Sequence, residues 1–550
     1  MNQILILLLF YFTILFSILG YGKLVTLFSS NDQDIDFQGF NGIALLIIIS
    51  YLTNFFFPHD FLHNSIVILF GLSIFLFDIG KNYKKKIKEY KLIILVFLII
   101  FIGLLMYKNH DDFYYYHFPY TLILSNFEKI FGLGNLNHGF RTPSSIFYLN
   151  SLFYLPLIKY FLMNSGAIYI FGFANFFLIK TIKKFIKNKD FNFIFYLSLL
   201  SFVYISTAFY RIAEHGTDKS ALILIFIMAI YYLQSINLPN DYKKIEIINS
   251  YFSKLIILFF LIISLKTFYL IYFFILLIWI FEMRRFLFQK KFLNMTYKNS
   301  SIYLFIFGIF FSIFTIFSNT GCLIYPASFT CLSQFSWSIP VDTVDQMMLW
   351  YELWSKGGAN PNFVVDNPEY HILGFNWVSH WFSEYFFTKV TDSLSVILLI
   401  SLIVLLLFKN KKRKISKLNT KYLLFYLSIV ILFFEWFYNH PSLRYGGYTL
   451  ITLIFFIPLS LYLEKFELNP IIVKKKVYFL LILSTLIFVS KNLNRINFEY
   501  NKYNYNVLKN SFYYLNKDGF IINDTVNKYY IKQKILNKNK YLILNKKTLN

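Results

Sequence analysis

Apolar runs recur along the chain at lengths close to a bilayer crossing and are separated by short polar stretches; a helix needs ~20 such residues to traverse the hydrocarbon core. They fall near 4–19, 41–57, 62–79, 92–107, 166–182, 191–207, 220–236, 255–267, 268–282, 300–318, 393–408, 422–437, 448–463 and 477–490, so about fourteen transmembrane helices are predicted. The stretches 394–408 and 449–463 are apolar on every side. A membrane barrel strand alternates in polarity every second residue, so the pattern predicts a helical bundle and excludes a barrel. Residues 1–19 lack a basic leader and a small-residue cleavage pattern, and read as a retained first helix.

The run from Ser144 to Met163 is apolar enough to span, but the polar loops argue against it. Lysines and arginines cluster at 81–91, 180–189, 284–291, 409–421 and 474–476, always between apolar runs. Such loops face the cytoplasm. With 81–91 and 180–189 both inside, an odd number of crossings must separate His110 from 180–189, and 166–182 supplies one. Ser144–Met163, with Pro156 and Lys159, is then expected to lie along the outer interface as an amphipathic helix, and Tyr114–Ile130 to do the same. Large outer loops follow at 108–165 and 319–392, and 491–550 reads as a polar tail or small extracytoplasmic domain with strand-like pieces at 519–522 and 541–544.

Composition agrees with this pattern. Hydrophobic residues make up 57% of the 550 and charged residues 15%, and the mean hydropathy is +0.54. No water-soluble fold could bury that much apolar surface. The net charge of +25 raises the question of nucleic acid, but its confinement to short loops answers it: the charge is topogenic, and no nucleic-acid partner is expected. The two cysteines, Cys322 and Cys331, are too few for a disulfide framework or a zinc site; both fall in an outer loop, where one bridge could close a small turn.

Chemistry is therefore sought in the outer loops. Asp111 and Asp112, followed by Tyr114, Tyr115, Tyr116, His117 and Pro119, stand at the outer end of a helix. Such a pair can serve as a general base or bind a divalent cation, magnesium or manganese; it is equally what a solvated helix end looks like. The turn Arg211, Glu214, His215, Gly216, Thr217, Asp218, Lys219 packs ionisable groups against a bilayer, which points to a wet cavity, or else is a helix stop followed by an N-cap. Lys266 interrupts an apolar hairpin at the same level, as a site residue or a snorkelling one. Arg444, in Asn439–Gly447, offers a planar fork of donors suited to phosphate, with Gly446 and Gly447 allowing close approach of a headgroup; the alternative is an arginine paired with Glu435. Five of the seven tryptophans, Trp337, Trp350, Trp354, Trp377 and Trp381, lie in 319–392, where they can stack on sugar or anchor an interface.

An acidic residue just after an early transmembrane helix, a Tyr-His-x-Pro run, interfacial helices and the turn Gly139, Arg141, Thr142, Pro143 together resemble the GT-C superfamily, over roughly 92–447. These are multi-pass glycosyltransferases that take sugars from polyprenyl-phosphate carriers. The resemblance implies additional N-terminal helices at 1–91, a GT-C-like core at 92–490 and the tail at 491–550. It implies Asp111 or Asp112 as the catalytic residue, and His117, Arg141, Arg211, Asp218, Lys266 and Arg444 as substrate-binding. The partners implied are a polyprenyl-phosphate-linked sugar and membrane lipid, at a bacterial inner membrane. Two other classes compete. An O-antigen-type polymerase or ligase would put its key arginines in late loops and would not need Asp111 and Asp112. A transporter or flippase of envelope glycolipids should show broken, charged segments at mid-membrane in both halves, and such breaks are scarce here.

Overall fold

The computed structural model describes residues 3–27, 35–106, 110, 112–214, 216–238, 244–360, 362–410, 422–503, 506–507, 534–535 and 542–543. Three helices open the chain: α1 (Gln3–Leu27), α2 (Ile35–Thr53) and α3 (Phe61–Ile100). After a 3-10 turn at Phe101–Leu104 comes a region of short elements with a five-residue π-helical turn (Phe113–His117), α4 (Phe118–Asn126) and α5 (Ser145–Ser151). The bundle resumes with α6 (Gly166–Asn188), α7 (Phe193–Ala208), α8 (Gly216–Ile236), α9 (Ile245–Leu265), α10 (Phe273–Leu287), α11 (Lys290–Tyr297) and α12 (Ser300–Thr320). A second such region holds α13 (Val341–Lys356), α14 (Pro368–Ile372) and α15 (Val378–Trp381). It leads into α16 (Thr391–Phe408), α17 (Leu423–Asn439), α18 (Gly447–Leu463) and α19 (Pro470–Tyr503). Among the described residues strand is confined to three two-residue pieces, β1 (Ile130–Phe131), β2 (Lys534–Ile535) and β3 (Leu542–Ile543), in the order β1-β3-β2.

Eight helical stretches among the described residues are long and apolar enough to cross a membrane: α1, α2, Phe61–Lys81 of α3, α6, α8, α9, α12 and the run Val378–Phe408. Three shorter apolar helices, α7, α17 and α18, accompany them. This is an all-α, multi-pass membrane protein. The predicted number of about fourteen spans is not reached by length and composition. One reason is local: the run expected at 268–282 begins in a 3-10 turn, Thr267–Tyr272, which leaves α10 only 15 residues.

Two predicted spans, 62–79 and 92–107, belong to the single element α3, but that element cannot be straight. Tyr90 Oη donates to Asp78 Oδ2 at 3.2 Å and the Phe75 and Tyr90 rings lie 5.6 Å apart, whereas twelve residues of straight helix advance about 18 Å. The chain therefore doubles back around its basic middle, and both arms pack on α1: Phe16 stacks on Phe75, and Tyr11 donates to the Phe97 carbonyl. Close approach needs small residues here. A Cβ on Gly20 would stand 1.8 Å from the Gly71 carbonyl oxygen, so a side chain there would force α1 and α3 apart.

Two of the basic clusters meet at one end. Lys180 Nζ sits 3.1 Å from Asp36 and 3.3 Å from Glu89, tying the clusters 180–189 and 81–91 together, and Ser300 Oγ donates to the Val25 carbonyl. The opposite end carries the regions around α4, α5 and α13, and there two expectations change. Ser144–Met163 is not one amphipathic helix. It is the seven-residue α5 followed by tight turns in which Leu157 (φ 68°) and Lys159 (φ 47°) take left-handed backbone. Asn64 holds these turns down, its side-chain amide donating to the carbonyls of His59, Ser151 and Tyr154. Tyr114–Ile130 is likewise the π turn, α4 and β1, with α4 buried from Phe118 to Ser125. At the C-terminal side, α19 runs past the boundary expected at 490 to Tyr503, and β3 falls within the strand-like piece expected at 541–544. The piece at 519–522 lies outside the described residues.

Candidate functional site

The turn between α17 and α18 is built to aim one side chain. Its backbone groups are taken up by neighbours: Trp381 Nε1 donates to the Pro441 carbonyl (2.9 Å), Trp436 Nε1 to Ser442 (2.8 Å) and Tyr269 Oη to Arg444 (2.8 Å), while Leu443 N donates to Tyr385 Oη (3.0 Å). Gly446 has φ +129°, a conformation that side chains resist, and a Cβ on Gly447 would lie 2.4 Å from the Trp436 ring. These glycines serve the turn and its packing on Trp436. The result is an Arg444 held rigidly by its surroundings.

Arg444 uses its fork to join two distant segments. Nε donates to Asp218 Oδ2 at 2.9 Å and Nη2 to Asp112 Oδ2 at 3.4 Å. Asp218 is shared: its Oδ1 accepts from Lys266 Nζ at 2.7 Å. The sequence leaves Asp218 open as an N-cap; in the structure its carboxylate binds two cations from other elements. Lys266 lies in extended backbone just past α9, its ammonium 4.4 Å over the Tyr445 ring. Burial pulls the Lys266 pKa down, and Asp218 opposes that pull. The Arg444 guanidinium faces the rings of Trp354 (5.7 Å) and Tyr445 (5.8 Å). Glu435, the alternative partner for Arg444, instead accepts from Asn439. The Asp218 side chain is almost fully enclosed, while Asp112 and Arg444 keep about a third of their surface open, at 29% and 34%. The cluster thus has a wet mouth and a dry floor.

Other residues of the reading fall at varying removes. His117 is buried beside this cluster, against Tyr116 and Phe147; its Nε2 has no hydrogen-bond partner among the described residues, and burial pushes its pKa down to about 3. Arg211 pairs with Glu214, whose carboxylate is fully enclosed and also lies 3.7 Å from Arg495. Arg141 donates to the Gly134 carbonyl at 3.0 Å, outside the Arg444 cluster. Asp111 lies outside the described residues, as does His215. His110 Nδ1 is 3.5 Å from Asp112 Oδ2. Among the described residues no three of His, Cys, Asp and Glu converge, and Asp112 Oδ2 faces the Arg444 guanidinium at 3.4 Å.

Four of the loop tryptophans divide by position. Trp377 and Trp381 are buried anchors, whereas Trp350 and Trp354 stand near the mouth, Trp350 beside His138 (6.2 Å), which is itself 2.9 Å from Tyr115 Oη. Trp337 packs with Phe131 and Phe335, away from the site. Cys322 and Cys331 form a disulfide that closes the corner at the start of this loop.

Two features escape the sequence reading. Lys129, inside the stretch expected to lie along the interface, is buried at 2% exposure with its ammonium donating to Tyr148 Oη at 2.9 Å; burial lowers its pKa to about 7. The outer half of α19 grips the loops that carry the acids. Arg495 donates to the Leu105 carbonyl (2.7 Å) and Ile102 carbonyl (3.5 Å), and Lys491 to the Thr207 carbonyl (3.0 Å). No local pattern in the sequence marks either.

With this geometry in view, comparison with known proteins gives one match. The family model of a domain of unknown function, DUF8201, covers residues 4–451. The chain belongs to this family. The DUF8201 region includes Asp112, Asp218, Lys266 and Arg444, runs across the boundary expected at residue 91, and ends at Ile451, so α19 with Arg495 lies beyond it. No curated protein and no solved structure matches the chain.

Proposed function

We propose that the protein is a membrane glycosyltransferase that moves a sugar from a polyprenyl-phosphate carrier to an extracytoplasmic lipid, glycan or protein acceptor. One observation carries this reading: Asp112 and the cations Arg444 and Lys266, from three separate segments, meet around Asp218 at the open end of a lipid-embedded bundle. Transfer from a phosphate-linked donor needs a base near the attacking oxygen and positive charge near the leaving phosphate. Asp112 takes the proton of the acceptor hydroxyl, whose oxygen forms the bond to the anomeric carbon as the bond from that carbon to the phosphate oxygen breaks. The electron pair stays with the lipid phosphate, which Arg444 and Lys266 receive. Trp350 and Trp354 supply faces for a sugar ring at the mouth.

On the proposed topology this mouth opens on the outer side of a bacterial inner membrane. The test is to incubate the purified protein in nanodiscs with synthetic polyprenyl-phosphate sugars and follow sugar release. Turnover of at least one such donor is expected. If the protein binds these donors but only moves them between leaflets of vesicles, it is a flippase and the proposal fails.

A further inference from the structure

Arg141 closes the 3-10 turn His138–Arg141 with most of its fork unused. Its Nε donates to the Gly134 carbonyl at 3.0 Å, and its stem is wedged there: a Cβ on Gly134 would stand 3.1 Å from Arg141 Cγ and 3.1 Å from Ile339 Cδ1. Among the described residues its two terminal nitrogens make no hydrogen bond and no ion pair. Tyr325 completes a cradle. It packs with Ile339 in a small apolar cluster and is 2% exposed, and its hydroxyl faces the Arg141 guanidinium without closing a hydrogen bond to it. A buried hydroxyl normally has a partner. A fixed guanidinium with its Nη edge open, beside an unpaired buried O–H, is a donor set for the oxygens of an anion. The same elements tie this cradle to the mouth. The His138 ring is 6.2 Å from Trp350, Tyr351 packs against the Tyr325 cluster, and Trp354, one turn further along α13, lies 5.7 Å from the Arg444 guanidinium. A row of rings on α13 thus leads from Arg141 to Arg444.

We infer that Arg141 and Tyr325 bind a carboxylate on the acceptor, so that the sugar is added to an acidic glycan of the uronic-acid class. One guanidinium brings a single positive charge and, with Nε occupied, an end-on pair of N–H donors, which matches the single charge and two coplanar oxygens of a carboxylate. A phosphate monoester brings about two charges and three acceptor oxygens, more than this cradle answers. With its carboxylate at Arg141, the acceptor ring lies along Trp350 and reaches toward Asp112, while Arg444 and Lys266 keep the donor phosphate. This rests on the transfer reaction proposed above and adds the class of acceptor.

The test titrates methyl β-glucuronide and methyl β-glucoside, which differ only by a carboxylate in place of a hydroxymethyl group, against the full-length protein in nanodiscs. The parent should bind the glucuronide about ten-fold or more tighter, the weight of a charge-assisted hydrogen bond. Arg141→Gln should erase that preference by weakening only the glucuronide. Because this change also removes the bond to Gly134, Tyr325→Phe serves as a second variant. It deletes a hydroxyl that has no partner in the folded chain, so the Tm should hold or rise while glucuronide affinity falls about three-fold or more. Equal binding of the two glycosides by the parent, or an intact preference in either variant, overturns the inference. Tighter binding of glucose 6-phosphate than of the glucuronide would overturn it in favour of a phosphorylated acceptor. Turnover of a polyprenyl-phosphate sugar without any glucuronide preference would leave the transfer reaction standing and remove only this acceptor. A glucuronide preference in a protein that turns over no such donor would overturn the acceptor role together with the transfer reaction.

Discussion

Arg444 matters through its shape more than its charge. A lysine at 444 could reach Asp218 or Asp112, but a point charge cannot bridge both as the Nε and Nη2 edges do. Arg444→Lys is therefore expected to weaken binding of a polyprenyl-phosphate sugar about ten-fold, measured by titration, with little change in expression. Parental affinity in this variant would make Arg444 a structural tie. Lys129 gives a prediction about pH. Its folded pKa of about 7 lies below the ~10.4 of an unfolded lysine. Between these values the unfolded chain binds the extra proton, so stability rises with pH across that window and is flat below it. The Tm of the parent should climb from pH 7 to pH 10 more than that of Lys129→Met; parallel Tm profiles would mean that Lys129 is charged in the folded protein. The sequence could place Asp218, Lys266 and Arg444 at one level, because basic loops fix the sides of the bundle. It could not show that Asp218 is the shared acceptor, nor that Lys129 is enclosed, since both depend on which distant segments pack together.

At the scale of elements, the long periodic runs were legible and the short outer ones were not. Apolar stretches such as α1, α8 and α9 must be helical in a bilayer, because every backbone group has to be satisfied within the segment. Ser144–Met163 faces no such requirement: it lies under protein, where Asn64 satisfies its carbonyls and Pro156 begins a turn with two left-handed residues. Packing overrode the apolar periodicity there. The same reasoning singles out α19, whose outer half holds the loops leading to Asp112 and Asp218. The Arg495 side chain is only 9% exposed, and Glu214 is enclosed beside it. Arg495→Ala should cost about 3 kcal/mol, the usual effect of breaking a buried pair from one side, read as a lowered Tm in detergent. A parental Tm would mean that α19 merely lies alongside those loops.

For the molecule as a whole, the ion pairs at its two ends make topology testable. Lys180 gathers Asp36 and Glu89 at the basic end, whereas Asp112, Asp218, Lys266 and Arg444 meet at the other. Because the two native cysteines are paired, single cysteines can be read without background. An impermeant thiol reagent should label Lys159→Cys, an exposed position before α6, in intact cells and Lys184→Cys, exposed at its other end, only after permeabilisation. Labelling of position 184 in intact cells would reverse the bundle and move the site to the cytoplasm. The central claim is that Asp112 accepts the acceptor's proton beside a phosphate held by Arg444. The measurement that meets it most directly is the rate of sugar transfer from a polyprenyl-linked donor by Asp112→Asn, with donor binding titrated in parallel. The rate should fall about 10²- to 10⁴-fold, the usual weight of a general base, while donor affinity stays near that of the parent. Transfer at the parental rate would contradict the account.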